Sequence, residues 1–210
     1  MTAGQAGFAS AMRSVPLVGI LRGVQPHEAL SIGQALFDVG WRLIEVPLNS
    51  PRPLESIEAL VHALPQAVVG AGTVLTPSAV RDVHAAGGRL VVAPNFNAAV
   101  VREALRLGLV CLPGVTTPSE AFAALDAGAS GLKLFPAEMI PPPVVKALRS
   151  VLDTRTLLLP VGGITPRNIA AYRAVGANGF GIGTSLYKPG MEPPEVARNA
   201  QEFLTALRQT

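Results

Sequence analysis

The chain has 210 residues, 49% apolar and 15% charged, with a formal net charge of +3. That composition belongs to a folded globular protein with a large core, and it excludes intrinsic disorder. The small arginine excess forms no basic run and no aromatic residues interleave with it, so nucleic-acid binding is not expected, whereas a mildly positive field suits an anionic small substrate.

The one cysteine, Cys111, excludes an intramolecular disulfide and a CxxC site. It sits in the apolar run Leu109–Leu112 and reads as a buried structural thiol. No apolar run approaches the length of a membrane span. The stretch 1–14 lacks the apolar core of a signal peptide, so a cytoplasmic protein without a membrane partner is the expectation.

From the N-terminus, residues 3–13 predict a short helix. A unit then recurs: an apolar β-rich run stopped by Gly, Pro or a polar residue, followed by a helical pattern. The runs are Val15–Leu21, Trp41–Pro47, Ala67–Gly72, Arg89–Pro94, Leu109–Pro113, Gly131–Phe135, Leu157–Gly162 and Gly179–Gly183. These eight runs begin roughly 20 to 26 residues apart, close to the size of one βα unit. Small-residue–glycine pairs such as Val39-Gly40 and Ala127-Gly128 precede them, and glycine past a helix end takes the left-handed cap position at little steric cost. Thr76-Pro77, Thr117-Pro118 and Thr165-Pro166 each read as a threonine N-cap with proline at the first helical position. Glu120 completes a capping box with Thr117.

Continuous apolar strands alternating with helices imply a parallel sheet covered by helices. Eight such units point to a single-domain (β/α)8 barrel over residues 1–210. A doubly wound open sheet is the alternative, but no Gly-x-Gly-x-x-Gly follows the first run.

In a barrel the chemistry gathers at the C-terminal strand ends. The sixth run delivers Lys133, one of only three lysines among 17 basic residues. An ammonium in an apolar strand is expensive unless paired or solvated. Burial lowers its pKa and makes it a neutral, nucleophilic amine, so Lys133 is a candidate Schiff-base lysine. The segment alone equally admits a lysine snorkelling from a strand end.

Glu45, in the second run, is the only one of 14 acidic residues inside an apolar run. A structural ion pair with Arg42 or Arg89 is its plain reading. Parity favours another: runs two and six are both even, so inward side chains there converge near the axis. A carboxylate beside an amine is what proton shuttling around a carbinolamine and an enamine requires. The glycines of Val161-Gly162-Gly163 and Gly181-Ile182-Gly183-Thr184-Ser185 follow runs seven and eight, where backbone N–H groups can approach a phosphate. His27, His62 and His84 fall on or beside helices and read as surface residues. With no His or acidic cluster at a strand end, neither a catalytic metal nor another cofactor is expected.

Several motifs together resemble the 2-keto-3-deoxy-6-phosphogluconate/phosphogalactonate aldolase family. They are Ile20-Leu21-Arg22-Gly23, the stretch Glu45–Pro51, Gly70–Leu75, Pro94-Asn95, Leu132–Pro136 and Val161-Gly162-Gly163. The resemblance runs from about Val15 to the C-terminus. It implies a homotrimeric (β/α)8 barrel and class I, metal-free cleavage of a phosphorylated 2-keto-3-deoxy sugar acid to pyruvate and glyceraldehyde 3-phosphate. By position it implies Lys133 as the Schiff-base lysine and Glu45 as general acid/base. Thr73 and the Gly72 backbone would contact the pyruvate carboxylate, and Gly162, Gly163, Gly183, Thr184 and Ser185 the phosphate.

Two departures bear on the branch. The gluconate branch usually carries an arginine where this chain has Asn49, and a threonine where it has Val161. Both changes, with Leu186-Tyr187 after Ser185, are similar to the galactonate branch, and Pro94 joins Asn49 and Val161 as a specificity position. Losing a hydroxyl at 161 removes a hydrogen-bond partner that can bias the choice at C4. Without an arginine at 49, Arg22 becomes the candidate for the substrate carboxylate, since its planar fork suits bidentate binding. The alternatives are gluconate or 4-hydroxy-2-oxoglutarate cleavage, a phosphosugar epimerase or synthase on the same barrel, and a sugar-acid sensor.

Overall fold

A computed structural model describes residues 2–210. Met1, the first residue of the stretch read for a leader, lies outside them. The chain opens with α1 (Ala3–Ser14), whose Thr2 and Gln5 form a reciprocal capping box. There follow β1 (Leu17–Ile20), α2 (Pro26–Asp38), β2 (Leu43–Pro47), α3 (Pro53–Ala63), β3 (Val68–Gly72), α4 (Pro77–Ala85), β4 (Leu90–Val92) and α5 (Ala98–Arg106). The second half runs β5 (Val110–Leu112), β6 (Gly114–Val115), α6 (Pro118–Asp126), β7 (Leu132–Leu134), α7 (Pro142–Arg149), β8 (Leu158–Pro160), α8 (Ile169–Arg173), β9 (Phe180–Ile182) and α9 (Pro193–Arg208). No helix is long and apolar enough to cross a membrane among the described residues.

Every ladder is parallel. The strands form a six-stranded sheet, β5-β4-β3-β2-β1-β9, and a three-stranded sheet, β6-β7-β8. The fifth apolar run, Leu109–Pro113, therefore yields only β5, and Gly114-Val115 beyond it form a separate strand; Pro113 is the reason. Proline has no N–H to give a ladder. Before it, β5 pairs with β4; after it, Gly114 stands opposite Lys133 on β7. The Pro113 carbonyl still accepts from the Lys133 N–H at 3.0 Å. At the other junction an isolated parallel bridge joins Val161 to Gly181.

The caps at Thr76 and Thr117 form as expected: Thr76 accepts from the Ala79 N–H, and Thr117 shares a capping box with Glu120. Thr165 does not cap a helix, and that expectation is corrected. Helix α8 begins only at Ile169. The Asn168 side chain takes the Thr165 N–H and donates to the Gly163 carbonyl, each at 2.9 Å, and this local turn outcompetes helix formation over 165–168.

Alternation along the strands divides the core. Leu17, Ile44, Val69, Val91, Cys111 and Leu132 pack outward against the helices. Val18, Leu43, Val68, Leu90, Val110 and Leu159 face a second cluster, which Phe8 and Ala11 of α1 close from the N-terminal strand ends. On the helical side, fully buried Trp41 meets Phe203 of α9 edge-on at 6.2 Å. Such a contact adds about 0.5–1.5 kcal/mol beyond its area. The two polar side chains on strands, Glu45 and Lys133, occupy the inward set near the C-terminal ends.

Candidate active site

Register fixes the site. Ile20 is opposite Glu45, Glu45 opposite Gly70, and Lys133 is flanked by Gly114 and Leu159. Glu45, Lys133 and Val161 line one enclosed cavity with Val18, Ile20, Val92, Leu112, Leu159 and Gly181. The cavity holds about 10 Å³, room for about one water. Glu45 is 1% exposed and Lys133 5%, which rules out the snorkelling reading of the lysine.

The structural ion pair is also absent. Arg42 spends its Nη1 on the carbonyls of Phe37 and Trp41. The aliphatic part of Arg89 packs against Gly4. Oε2 of Glu45 has no hydrogen-bond partner among the described residues.

Burial is the main force on both ionisable groups. It raises the Glu45 carboxyl to about 7, against the lowering effects of Lys133, Arg22 and the Gly72 amide. It lowers the Lys133 ammonium; nearby Glu45 opposes this and Arg22 adds to it. Both shifts favour the neutral forms: burial loosens the lysine's hold on its proton and brings the carboxyl to where it exchanges one near neutral pH. The Lys133 Nζ also stands 4.5 Å from the centre of the Phe135 ring. Phe135 was missed in the sequence, although residues two apart on a strand share a face.

Gly72 makes room for the carboxylate. A Cβ built there would lie 1.9 Å from Glu45 Oε2. The next residue, Thr73, adopts φ +57°, a left-handed conformation unusual for a β-branched side chain. At the same strand ends, Arg22 Nη1 donates to Asn49 Oδ1 at 2.9 Å. This bond joins the candidate carboxylate ligand to Asn49, one of the expected specificity positions.

Pro94, Thr73, Gly162, Gly163, Gly183, Thr184 and Ser185 do not line the enclosed cavity; they lie on the segments that follow β4, β3, β8 and β9. The Val161–Gly181 bridge brings the last two segments side by side. Gly162 and Gly163 have φ of +110° and +60°. A Cβ at Gly183 would meet nothing within 4 Å, so that backbone is open to a ligand.

Sequence reasoning missed Glu138, on the 3-10 turn Ala137–Met139. Its carboxylate rests on the paired glycines: a Cβ at Gly162 would lie 2.5 Å from Oε2, and one at Gly163 3.1 Å from Oε1. Nothing in the local pattern signals a contact across some two dozen residues.

No group of three or more His, Cys, Asp or Glu side chains is arranged to hold a metal among the described residues. The three histidines are exposed. Cys111 is buried, and burial pushes its thiol up to about 12.

Comparison with known proteins agrees with this arrangement. Residues 8–200 match the family model described as KDPG and KHG aldolase. A Rhizobium meliloti (strain 1021) protein named probable 2-dehydro-3-deoxy-6-phosphogalactonate aldolase is 48% identical over 192 residues, 91% of either chain. The 2-dehydro-3-deoxy-6-phosphogalactonate aldolase of Escherichia coli (strain K12) is 42% identical over 93% of this chain and 96% of that one. A solved structure described as native KDPGal superposes with a TM-score of 0.92 at 42% identity, covering 93% of this chain and 96% of the other. With a buried lysine–glutamate pair at parallel strand ends and a family match over nearly its whole length, the chain belongs to the KDPG and KHG aldolase family.

Proposed function

We propose that the chain is a class I aldolase cleaving 2-dehydro-3-deoxy-6-phosphogalactonate to pyruvate and D-glyceraldehyde 3-phosphate. The observation that carries the reading is the shared cavity of Lys133 and Glu45, whose burial favours the neutral amine. The galactonate epimer is preferred on Val161 and Asn49 and on the names of the relatives at 48% and 42% identity.

In this reading the Lys133 amine attacks the C2 ketone. The carbinolamine loses water to give an iminium, with Glu45 supplying and removing protons. Glu45 then takes the proton of the C4 hydroxyl. The electrons of the C3–C4 bond pass into the iminium, leaving an enamine and releasing glyceraldehyde 3-phosphate. C3 takes a proton to become the methyl group, and water hydrolyses the iminium to pyruvate and the free amine.

Arg22, Thr73 and the Gly72 backbone hold the substrate carboxylate. Gly162, Gly163, Gly183, Thr184 and Ser185 hold the phosphate. Asn49, Pro94 and Val161 set the choice at C4. We take the two sheets as staves of one single-domain (β/α)8 barrel, with β5 and β6 as one strand interrupted at Pro113. A cytoplasmic homotrimer follows the family resemblance.

Borohydride reduction in the presence of pyruvate, followed by peptide mapping, tests the chemistry. A pyruvate adduct on the Lys133 peptide is expected, and a folded protein with no adduct there would overturn the assignment. Turnover of the two C4 epimers then tests the substrate. Faster cleavage of the gluconate epimer would move the reading to 2-dehydro-3-deoxy-6-phosphogluconate.

A further inference from the structure

A second cavity lies at the opposite ends of the strands. It is lined by Pro16, just before β1, by Gly40, ahead of β2, and by Asn178, just before β9. Its volume is about 450 Å³, within the range of sites for small organic ligands. Arg13, Arg173 and Arg208 line it, and no Asp or Glu does.

These arginines sit in the last turns of α1, α8 and α9, where a cation offsets the helix dipole. That role does not use up their hydrogen bonds. Elsewhere on this face Arg42 and Arg149 do cap the chain, donating to the carbonyls of Phe37, Trp41, Asp153, Thr156 and Gly176. Arg52, Arg81, Arg106 and Arg155 are paired with carboxylates. Arg13, Arg173 and Arg208 form neither kind of bond among the described residues. Three exposed guanidinium groups with unused donors thus line one concave surface, and the guanidinium fork matches phosphate oxygens bidentately.

Asn178 adds a neutral donor. Its Oδ1 accepts from Arg149 at 2.8 Å and from the Leu158 N–H at 2.9 Å, which fixes the amide and leaves its nitrogen free. Met12, Val39 and Leu207 supply apolar lining.

We propose that this cavity binds a multiply charged organic phosphate, with its phosphates among Arg13, Arg173 and Arg208 and its apolar portion against Met12, Val39 and Leu207. The site is separate from the Lys133 cavity, and its existence does not depend on the reaction assigned there.

Methyl-13C methionine NMR distinguishes the two faces, because Met12 lines this cavity and Met139 follows β7 at the other strand end. At low ionic strength, ADP and pyrophosphate should each shift the Met12 methyl saturably, while adenosine at equal concentration should not. The double variant Arg173→Ala/Arg208→Ala should weaken that midpoint at least about tenfold. No saturable Met12 shift with either anion up to about 10 mM would overturn the proposal. So would an equal shift with adenosine, a shift confined to Met139, or an unchanged midpoint in the double variant.

Discussion

Glu45 and Glu103 are driven in opposite directions by the same fold. Glu45 faces apolar strands, and burial raises its carboxyl to about 7. Glu103, on the α4–α5 face, receives Arg81 at 3.1 Å and Arg106 at 2.8 Å and falls to about 2. Lys133 and Arg22 also act on Glu45, yet desolvation outweighs them. At Glu103 the arginines donate directly to a solvated carboxylate with little burial to offset them, whereas at Glu45 the cost of burying the charge exceeds the pull of the cations nearby. One region keeps its carboxylate charged, and the other lifts it to where it exchanges its proton near neutral pH.

Removing the lysine breaks this comparison most severely. Lys133→Met should lower turnover by at least about four orders of magnitude while the protein stays folded, since a methionine fits the apolar cavity. Steady-state assay and thermal melting check both halves. Glu45→Gln should cost about 10²–10⁴ in kcat and remove the limb of the pH–rate profile near 7. The sign for stability follows from a raised folded pKa. The Glu45 contribution is fully present below the unfolded value of 4.5 and is lost as pH rises through about 7. Wild type should therefore lose stability relative to the glutamine variant between those pH values, as denaturant titration would show.

Gly72→Ala sharpens the comparison without altering charge. Its Cβ must displace the Glu45 carboxylate, so we expect about a 10²-fold loss of kcat and about 1–3 kcal/mol of stability. Unchanged activity would mean that the position of Glu45 does not matter. Glu103→Gln should have the smallest effect: unaltered turnover and a modest loss of Tm at neutral pH. That loss should vanish as pH falls from 4.5 toward 2, because a depressed pKa gives stability that is lost on protonation. Salt should shrink it as well.

The buried pair Glu45 and Lys133 was legible because each is the odd member of an apolar strand, and alternation along the strands brings both to one cavity. The threonine caps at 76 and 117 were legible from local spacing. The turn at Asn168 was not, because its side chain answers both Thr165 and Gly163, a choice the Thr-Pro signal cannot rank. The change of partner at Pro113 was visible as a proline but not as a boundary between two sheets. The wall residues Ile20, Val92, Leu112 and Leu159 look like any core aliphatics in sequence. Only register shows that they desolvate Glu45 and Lys133.

The contact between Glu138 and the Gly162-Gly163 pair has a consequence for how the family can diversify. A side chain at 162 must adopt a left-handed backbone and also displace a carboxylate. Shortening Glu138 removes the second obstacle and leaves the first. Glu138→Ala should therefore relieve only the smaller part of the cost of Gly162→Ala, and a double-mutant cycle on thermal stability would read that part. The left-handed backbone at 162, more than the acid at 138, therefore sets what the loop can accept.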